Sequence, residues 1–518
     1  MTAETPPFRP IARGRAALAG LVAGGAALGA SELVAGLLPG AASLVVAIGD
    51  AVISLQPPGA KQLVVDIFGE ADKLALELLV VAVALAAAAW LGIVARTRPG
   101  AARLGYAAFG IVALGAALLD PLTEALSTLV TAAVAVLVAV VAIDRLLRLA
   151  GGSGPPVAEM PDWSRRRFLG TSIAVGGVAV GAGWLGRSLL ARGGGGATPQ
   201  VGSIPAPGEA APSPPAGAHL RGIEGLTPLI TPTERFYRID TALLVPRPNL
   251  DEWRLRVTGL VDRPFELTYE ELVGMDLREQ YVTIACVSNE VGGHLVGNAL
   301  WTGVRLKTLL EQAGVRPEAT QIVGRSVDGF TAGFPTVHAL ADDRESLVAV
   351  AMNGAPLPAD HGFPARLIVP GLFGYVSATK WLAEIELTTL DAFDAYWIPL
   401  GWAKDGPILT QSRIDVPRNG ARVDAGPVPI AGVAWAPDRG VRAVEVQIDD
   451  GAWIAAELST PISDATWVQF VHRWEAPPGE HVIRVRATDG DGVVQTDRRT
   501  SPAPDGARGH HAVGVRVG

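Results

Sequence analysis

The chain has 518 residues, of which 49% are hydrophobic and 18% charged, and its 43 basic and 51 acidic side chains leave a net charge of −8. That length implies several domains, the mild acidity gives no footing for a nucleic-acid partner, and the apolar bias places part of the chain in lipid. The single cysteine, Cys286, excludes an intramolecular disulfide, a paired redox motif and a multi-cysteine zinc site.

Residues 1–150 read as a transmembrane helical region. Arg9, Arg13 and Arg15 precede an apolar run over 16–38, and further runs cover 41–55, 74–95, 104–119 and 126–143. A span needs ~20 residues to cross the hydrocarbon core. The run at 41–55 is short, carries Asp50 and is closed by Pro57 and Pro58, so it is expected to be re-entrant or interfacial. Arg96, Arg98, Arg103, Arg145 and Arg148, held inside by the positive-inside rule, send the acidic Asp66, Glu70, Asp72, Asp120 and Glu124 outside. Glu32, Asp50 and Glu77 are candidate polar sites within or beside the spans. No histidine occurs in 1–218, and no methionine in a span, so this region offers no axial ligands for a b-type haem.

Residues 151–192 hold a final transmembrane segment at 168–190, led by Arg165, Arg166 and Arg167. SRRRFLG is similar to the twin-arginine export signal, with Gly170 in place of the usual lysine. The plainer alternative is three arginines obeying the positive-inside rule. Either way, the chain beyond residue 192 is expected on the extracytoplasmic side of the cell membrane, in a multi-pass protein. Residues 193–225 form a Gly/Pro-rich linker, expected to be a flexible to semi-extended tether.

Residues 226–401 mix strands and helices without regular alternation, which predicts an α+β domain. A strand is expected over 253–261, a short helix in LTYEELVGM, an amphipathic helix over 306–313 stopped by Gly314, and strands over 321–327, 347–352 and 365–369. The β run at 281–285 ends at Cys286 and meets the polar turn SNEVGGH. A thiol there is either a metal ligand or a small buried hydrophobe. In 353–386, His361, Arg366 and Lys380 sit beside loops rich in glycine and proline. They suit an anionic ligand, or they are ordinary surface charges with His361 capping a turn.

MNGAPLPADHGFPARLIVPGLFGYVSATKWL closely resembles the corresponding stretch of the sulfite oxidase family of molybdopterin enzymes, and TIACVSNEVGG resembles that family's molybdenum-ligand segment. The resemblance extends over 226–516. It implies a molybdenum cofactor, Mo-molybdopterin, whose metal is bound by one pterin dithiolene and by the Cys286 thiolate. It also implies that His361, Arg366, Ala378, Thr379 and Lys380 hold the pterin and its phosphate, that Asp328 is a further contact, and that Phe236, Tyr237 and Arg238 flank the pterin. The pattern departs from true sulfite oxidases after the cysteine, where VSNEVGG replaces arginines, and after Phe236-Tyr237, where Arg238-Ile239-Asp240-Thr241 replaces Val-Arg-Asn-His. Arg238 stands one place away from the expected charge, and Tyr396 is the candidate for the catalytic tyrosine.

From Trp402 the chain reads as all-β, with short strands in PVPIAGVAWA, VRAVEVQID, TWVQFVHRW, HVIRVRATD and HHAVGVRV. This predicts an immunoglobulin-like β-sandwich over 402–518. It resembles the family's C-terminal dimerisation domain, which implies a homodimer; a generic spacer is the alternative.

The expected protein is therefore a membrane-tethered oxidoreductase that transfers an oxygen atom to or from a small-molecule substrate. One alternative is reduction of sulfoxides such as oxidised methionine, with electrons from a separate haem protein of the membrane. Another is a non-catalytic anchored binding module. The electron donor or acceptor is not named by any residue.

Overall fold

The computed structural model describes residues 11–55, 68, 72–151, 163–192, 204–341 and 345–518. Arg9, Pro57, Pro58, Asp66, Glu70 and the first part of the linker, 193–203, lie outside the described residues. The chain divides into two compact units, Met1–Gln200 with Ala242–Val245, and Val201–Thr241 with Pro246–Gly518.

The first unit holds α1 (Arg13–Leu37), α2 (Leu44–Ser54), α3 (Asp72–Ala95), α4 (Pro99–Ala117), α5 (Ala125–Gly151) and α6 (Trp163–Ala191). Five of them are long and apolar enough to cross a membrane; α2, with 11 residues, is not. The fourth helix begins five residues earlier than the apolar run because Pro99 suits a first helical turn, whose N–H needs no partner. Helix α1 packs on α3, α5 and α6. Its approach to α3 requires glycine: a β-carbon on Gly20 would fall 2.1 Å from the Ala88 carbonyl oxygen. The polar groups expected at Glu32 and Glu77 are paired. Ser43 Oγ donates to Glu32 Oε1 at 2.7 Å, and Arg187 bridges Glu32 and Glu77. Arg165, Arg166 and Arg167 are exposed on the first turns of α6.

In the second unit, one five-stranded sheet runs β2-β1-β10-β5-β6, from β1 (Leu255–Gly259), β2 (Phe265–Leu267), β5 (Gln321–Ser326), β6 (Thr331–Pro335) and β10 (Leu382–Thr388). The other runs β3-β4-β7-β8, from β3 (Leu277–Ala285), β4 (Val296–Arg305), β7 (Leu347–Met352) and β8 (Ala355–Pro356), with β9 (Arg366–Ile368) paired to β7. Helix α7 (Tyr269–Val273) is started by a reciprocal cap between Thr268 and Glu271. Helix α8 (Leu306–Ala313) buries Leu306, Leu309, Leu310 and Ala313, a single apolar stripe, and ends at Gly314, whose φ is +70°.

The C-terminal region is sheet-rich. One sheet is β11-β13-β17-β16, from β11 (Gln411–Val416), β13 (Gly426–Trp435), β16 (Glu457–Leu458) and β17 (Val468–Ala476). The other is β12-β19-β18-β14-β15, from β12 (Ala421–Val423), β14 (Val441–Ile448), β15 (Ile454–Ala455), β18 (Gly479–Asp489) and β19 (His511–Val517). The two share a core that includes Ile430, Val446, Phe470 and Val485. Trp435 and Trp467 instead join the core of the α+β region, where the Trp467 amide donates to Thr283 Oγ1 at 2.8 Å and its ring Nε1 to Leu229 O at 2.7 Å.

Two expectations need correction. Residues 204–225 are not a free tether. Gly208 N donates to Leu277 O at 2.9 Å, Glu279 N to Glu209 O at 3.0 Å, and Leu220 N to Gln469 Oε1 at 2.8 Å. An extended, proline-rich backbone keeps its other N–H and C=O groups available, and here they pair with a strand edge. Residues from Trp402 to Ile408 also do not open the β-rich region: Ile408 is buried in the α+β core, and Phe373 N donates to Gly406 O at 2.7 Å.

Candidate active site

Strand β3 pairs with β4 along its whole length, ending at Ala285 opposite Val296. The chain then turns. Cys286 N donates to Leu295 O at 2.9 Å, Asn289 N donates to Cys286 O at 3.0 Å, and Asn289 Oδ1 accepts from Leu295 N at 2.8 Å. The polar residues of SNEVGGH thus close a compact loop that fixes the cysteine at the strand tip, 8% exposed.

The second segment returns from β7 through a short 3-10 turn, Ala359–His361. Gly362 has a φ of +108°, and a β-carbon there would meet Lys380 Cα at 3.0 Å, so glycine allows His361 and Lys380 to share one site. Trp381, at a φ of +50°, is held in that strained conformation by Trp381 N donating to Gly362 O and its Nε1 donating to Ala359 O at 2.7 Å.

These segments face one cleft enclosing about 880 Å³, counting the space open to solvent at its mouth. Phe236, Tyr237, Cys286, Asp328, His361, Arg366, Ala378 and Lys380, all singled out in the sequence, line it. Arg238, Thr379 and Tyr396 do not. Arg238 is turned to Asp240 and Asp360, with its side chain 38% exposed. Thr379 is buried, its hydroxyl donating to Gly324 O at 3.3 Å in β5. Tyr396 is half-buried, with its ring against Phe330 and Trp397. The sequence reading missed Tyr375, Phe330, Trp381, Trp397 and Trp402, which also line the cleft. For Tyr375, Trp397 and Trp402 the available signal was aromatic residues within the glycine-bearing stretches GLFGYVS and WIPLGWA.

The charges are buried and sharply perturbed. Burial, with the nearby Arg366 charge, pulls the His361 pKa down to about 4, so its imidazole is neutral near pH 7. His361 Nε2 lies 3.1 Å from the Thr233 carbonyl oxygen and donates to it as the neutral tautomer. Burial pulls Lys380 down to about 8 against the opposing pull of Asp240, to which its ammonium donates at 2.8 Å. Burial pushes the Asp328 carboxyl up. Burial, with the Cys286 thiol nearby, pushes the Tyr237 phenol up as well.

Arg366 is the informative member. It is buried, stacks 5.0 Å over the Trp301 ring, and donates through NH1 to His361 O at 3.1 Å. Its Nε has no hydrogen-bond partner among the described residues, and burial pulls its pKa down to about 10. A buried guanidinium with an unmet donor is costly unless an anion completes it. The cleft therefore fits a group with an anionic end. Among the described residues no cluster of three or more His, Cys, Asp or Glu could hold a metal ion. A metal here would need ligands from its own organic cofactor, with Cys286 as the candidate protein donor.

Known proteins agree with this chemistry. Residues 242–397 match the family model described as "Oxidoreductase molybdopterin binding domain". The Bacillus subtilis oxidoreductase YuiH is 38% identical over 140 residues, covering 27% of this chain and 67% of that protein. The mouse mitochondrial sulfite oxidase is 31% identical over 318 residues, covering 52% of this chain and 57% of the mouse protein. The chain belongs to the sulfite oxidase family. It is thus a molybdopterin-dependent oxidoreductase, and the molybdenum cofactor is its cofactor. This sulfite oxidase family member spans little more than half the length of the mouse enzyme. Its fold is shared with the sulfane dehydrogenase SoxCD of Paracoccus pantotrophus, with a TM-score of 0.50 and 24% identity, over 56% of this chain and 82% of that one.

Proposed function

We propose that this protein is a membrane-tethered oxidoreductase whose cofactor domain lies on the extracytoplasmic side and exchanges an oxygen atom with a small substrate. The observation that carries the catalytic part is the cleft itself, which brings the only cysteine together with a buried arginine whose Nε has no partner among the described residues. The cofactor, when bound, supplies the two-electron chemistry. Cys286 gives a thiolate ligand at the end of a rigid strand pair. Arg366 and Lys380 hold the anionic end of the pterin, and His361, kept neutral by burial, orients it through hydrogen bonds. Asp328, Ala378 and the Phe236–Tyr237 pair, whose rings stack at 5.3 Å, shape the pterin slot. Arg238 acts from outside the cleft, through the Asp240 carboxylate it shares with Lys380.

The five long apolar helices support the membrane tether. The arginines at 165–167 support an export route of the twin-arginine kind. The two facing sheets of the C-terminal region support an immunoglobulin-like domain through which two copies pair. An electron-transfer partner completes the redox cycle. The test is metal analysis of full-length protein from a cofactor-making host. The expected content is about one molybdenum per chain, and protein that is folded yet free of molybdenum overturns the proposal.

A further inference from the structure

We propose that the substrate taken by this cleft is uncharged with an apolar flank, and that oxyanions such as sulfite are poorly accepted. This substrate class rests on reading the cleft as the cofactor site.

The first support is a charge count. The basic residues among the described lining residues are His361, Arg366 and Lys380. His361 is neutral near pH 7. Lys380 is already matched by Asp240, which lines the same cleft. On the reading above, Arg366 together with Lys380 serves the anionic end of the cofactor. Arg238, the residue closest in sequence to the expected substrate cation, points to Asp240 and Asp360 and does not line the cleft. A second carboxyl group, Asp328, lies on the wall. An anionic substrate would enter a partly buried site where the described lining residues leave no counter-charge for it, which is strongly unfavourable.

The second support is the wall beside the cysteine. Gly374 lies close to the strand tip: a β-carbon on it would be 3.8 Å from the Ala285 carbonyl oxygen, one residue before Cys286. The next residue, Tyr375, begins a run of rings that line the cleft. Tyr375 and Trp402 have centroids 5.8 Å apart, and Trp402 and Trp397 are 6.2 Å apart. The Tyr375 hydroxyl donates to Ala403 O at 2.5 Å, and burial pushes its pKa up, so the ring stays neutral. Neutral aromatic walls reward apolar contact area and give an oxyanion little in return.

The test compares two substrates on one molybdenum-loaded preparation of the full chain in detergent. Methyl phenyl sulfoxide takes two electrons and two protons to give the sulfide and water, with reduced methyl viologen as donor. Sulfite plus water gives sulfate, two protons and two electrons, with ferricyanide as acceptor. The expected result is a kcat/KM for the sulfoxide at least roughly 100-fold above that for sulfite. Binding is read independently by quenching of tryptophan fluorescence. The sulfoxide should quench and sulfite should not. Trp402→Ala should weaken the quenching titration by about tenfold, while Trp402→Phe, which keeps a ring and guards against a folding defect, should stay within about threefold of the parent. Molybdenum-replete protein that turns over or binds sulfite as well as the sulfoxide overturns this inference alone. Protein without molybdenum overturns the cofactor reading beneath it.

Discussion

The two walls of the cleft satisfy their buried groups in different ways. The wall built from His361, Arg366 and Lys380 is charged or polar and desolvated: one member is neutralised, one is matched by Asp240, and one retains a donor with no partner among the described residues. The wall built from Tyr375, Trp397 and Trp402 is complete in itself, ring against ring. A wall left incomplete in the protein alone is suited to a permanent guest that supplies what is missing. A wall already satisfied by its own contacts suits a guest that comes and goes, selected by shape and polarity.

The largest expected effect lies at Cys286. Cys286→Ser should lower activity by about 100-fold or more and reduce molybdenum content, with unchanged circular dichroism, because the hydroxyl is a harder and weaker donor. If the variant keeps both metal and activity, the cysteine is only filler.

Arg366→Met sharpens the contrast through opposite signs. In cofactor-free protein it should be neutral or stabilising by up to about 4 kcal/mol, since a lone buried charge is removed. In loaded protein it should lower the melting temperature and cofactor retention. Melting curves of both forms decide it, and a destabilised cofactor-free variant would mean that the guanidinium is already satisfied.

The charged wall should also respond to pH. His361 has a folded pKa of about 4 against an ordinary 6.5, so the unfolded chain binds more protons in between. Its contribution is present above pH 6.5 and is lost as pH falls towards 4. His511, in the C-terminal region, behaves alike: its Nδ1 accepts from Ile414 N at 3.0 Å, and burial with the Arg413 charge nearby pulls its pKa down to about 4. Denaturant titrations from pH 7 to pH 4 should show falling stability, by about 1 to 3 kcal/mol from His361 alone, and His361→Gln should flatten that fall. The aromatic wall has no group that titrates in this window.

The smallest effect is expected at Tyr396. Tyr396→Phe should leave kcat/KM within about twofold, because the phenol does not line the cleft. A loss of 100-fold would restore Tyr396 as a catalytic residue and move the reacting position.

The sequence by itself determined what periodicity and local stereochemistry can carry. Helix α8 was expected over its observed residues because its apolar stripe and closing glycine are local signals. Strand β7 was expected with the same bounds, and the apolar runs marked the five long helices, with the largest differences at the N-terminal ends of α4 and α6 and at the longer C-terminal end of α5. Cys286, His361, Arg366 and Lys380 stood out as a rare thiol and as cations among glycines and prolines, and the resemblance to the sulfite oxidase family is what assigned them to one site.

Only the tertiary structure decided which side of a loop faced inward. Tyr396, Trp397 and Trp402 lie within seven positions of one another, and nothing in their order says that the indoles line the cleft while the phenol does not. In irregular segments side-chain direction has no fixed period, so it is set by packing against distant partners. The same reason turned Arg238 outward, onto Asp240 and Asp360, and fastened Gly208 and Glu209 to the edge of β3, which the local sequence does not mention. Local pattern specified His361, Arg366 and Lys380 as candidates, and long-range packing specified that Tyr375, Trp397 and Trp402 line the same cleft.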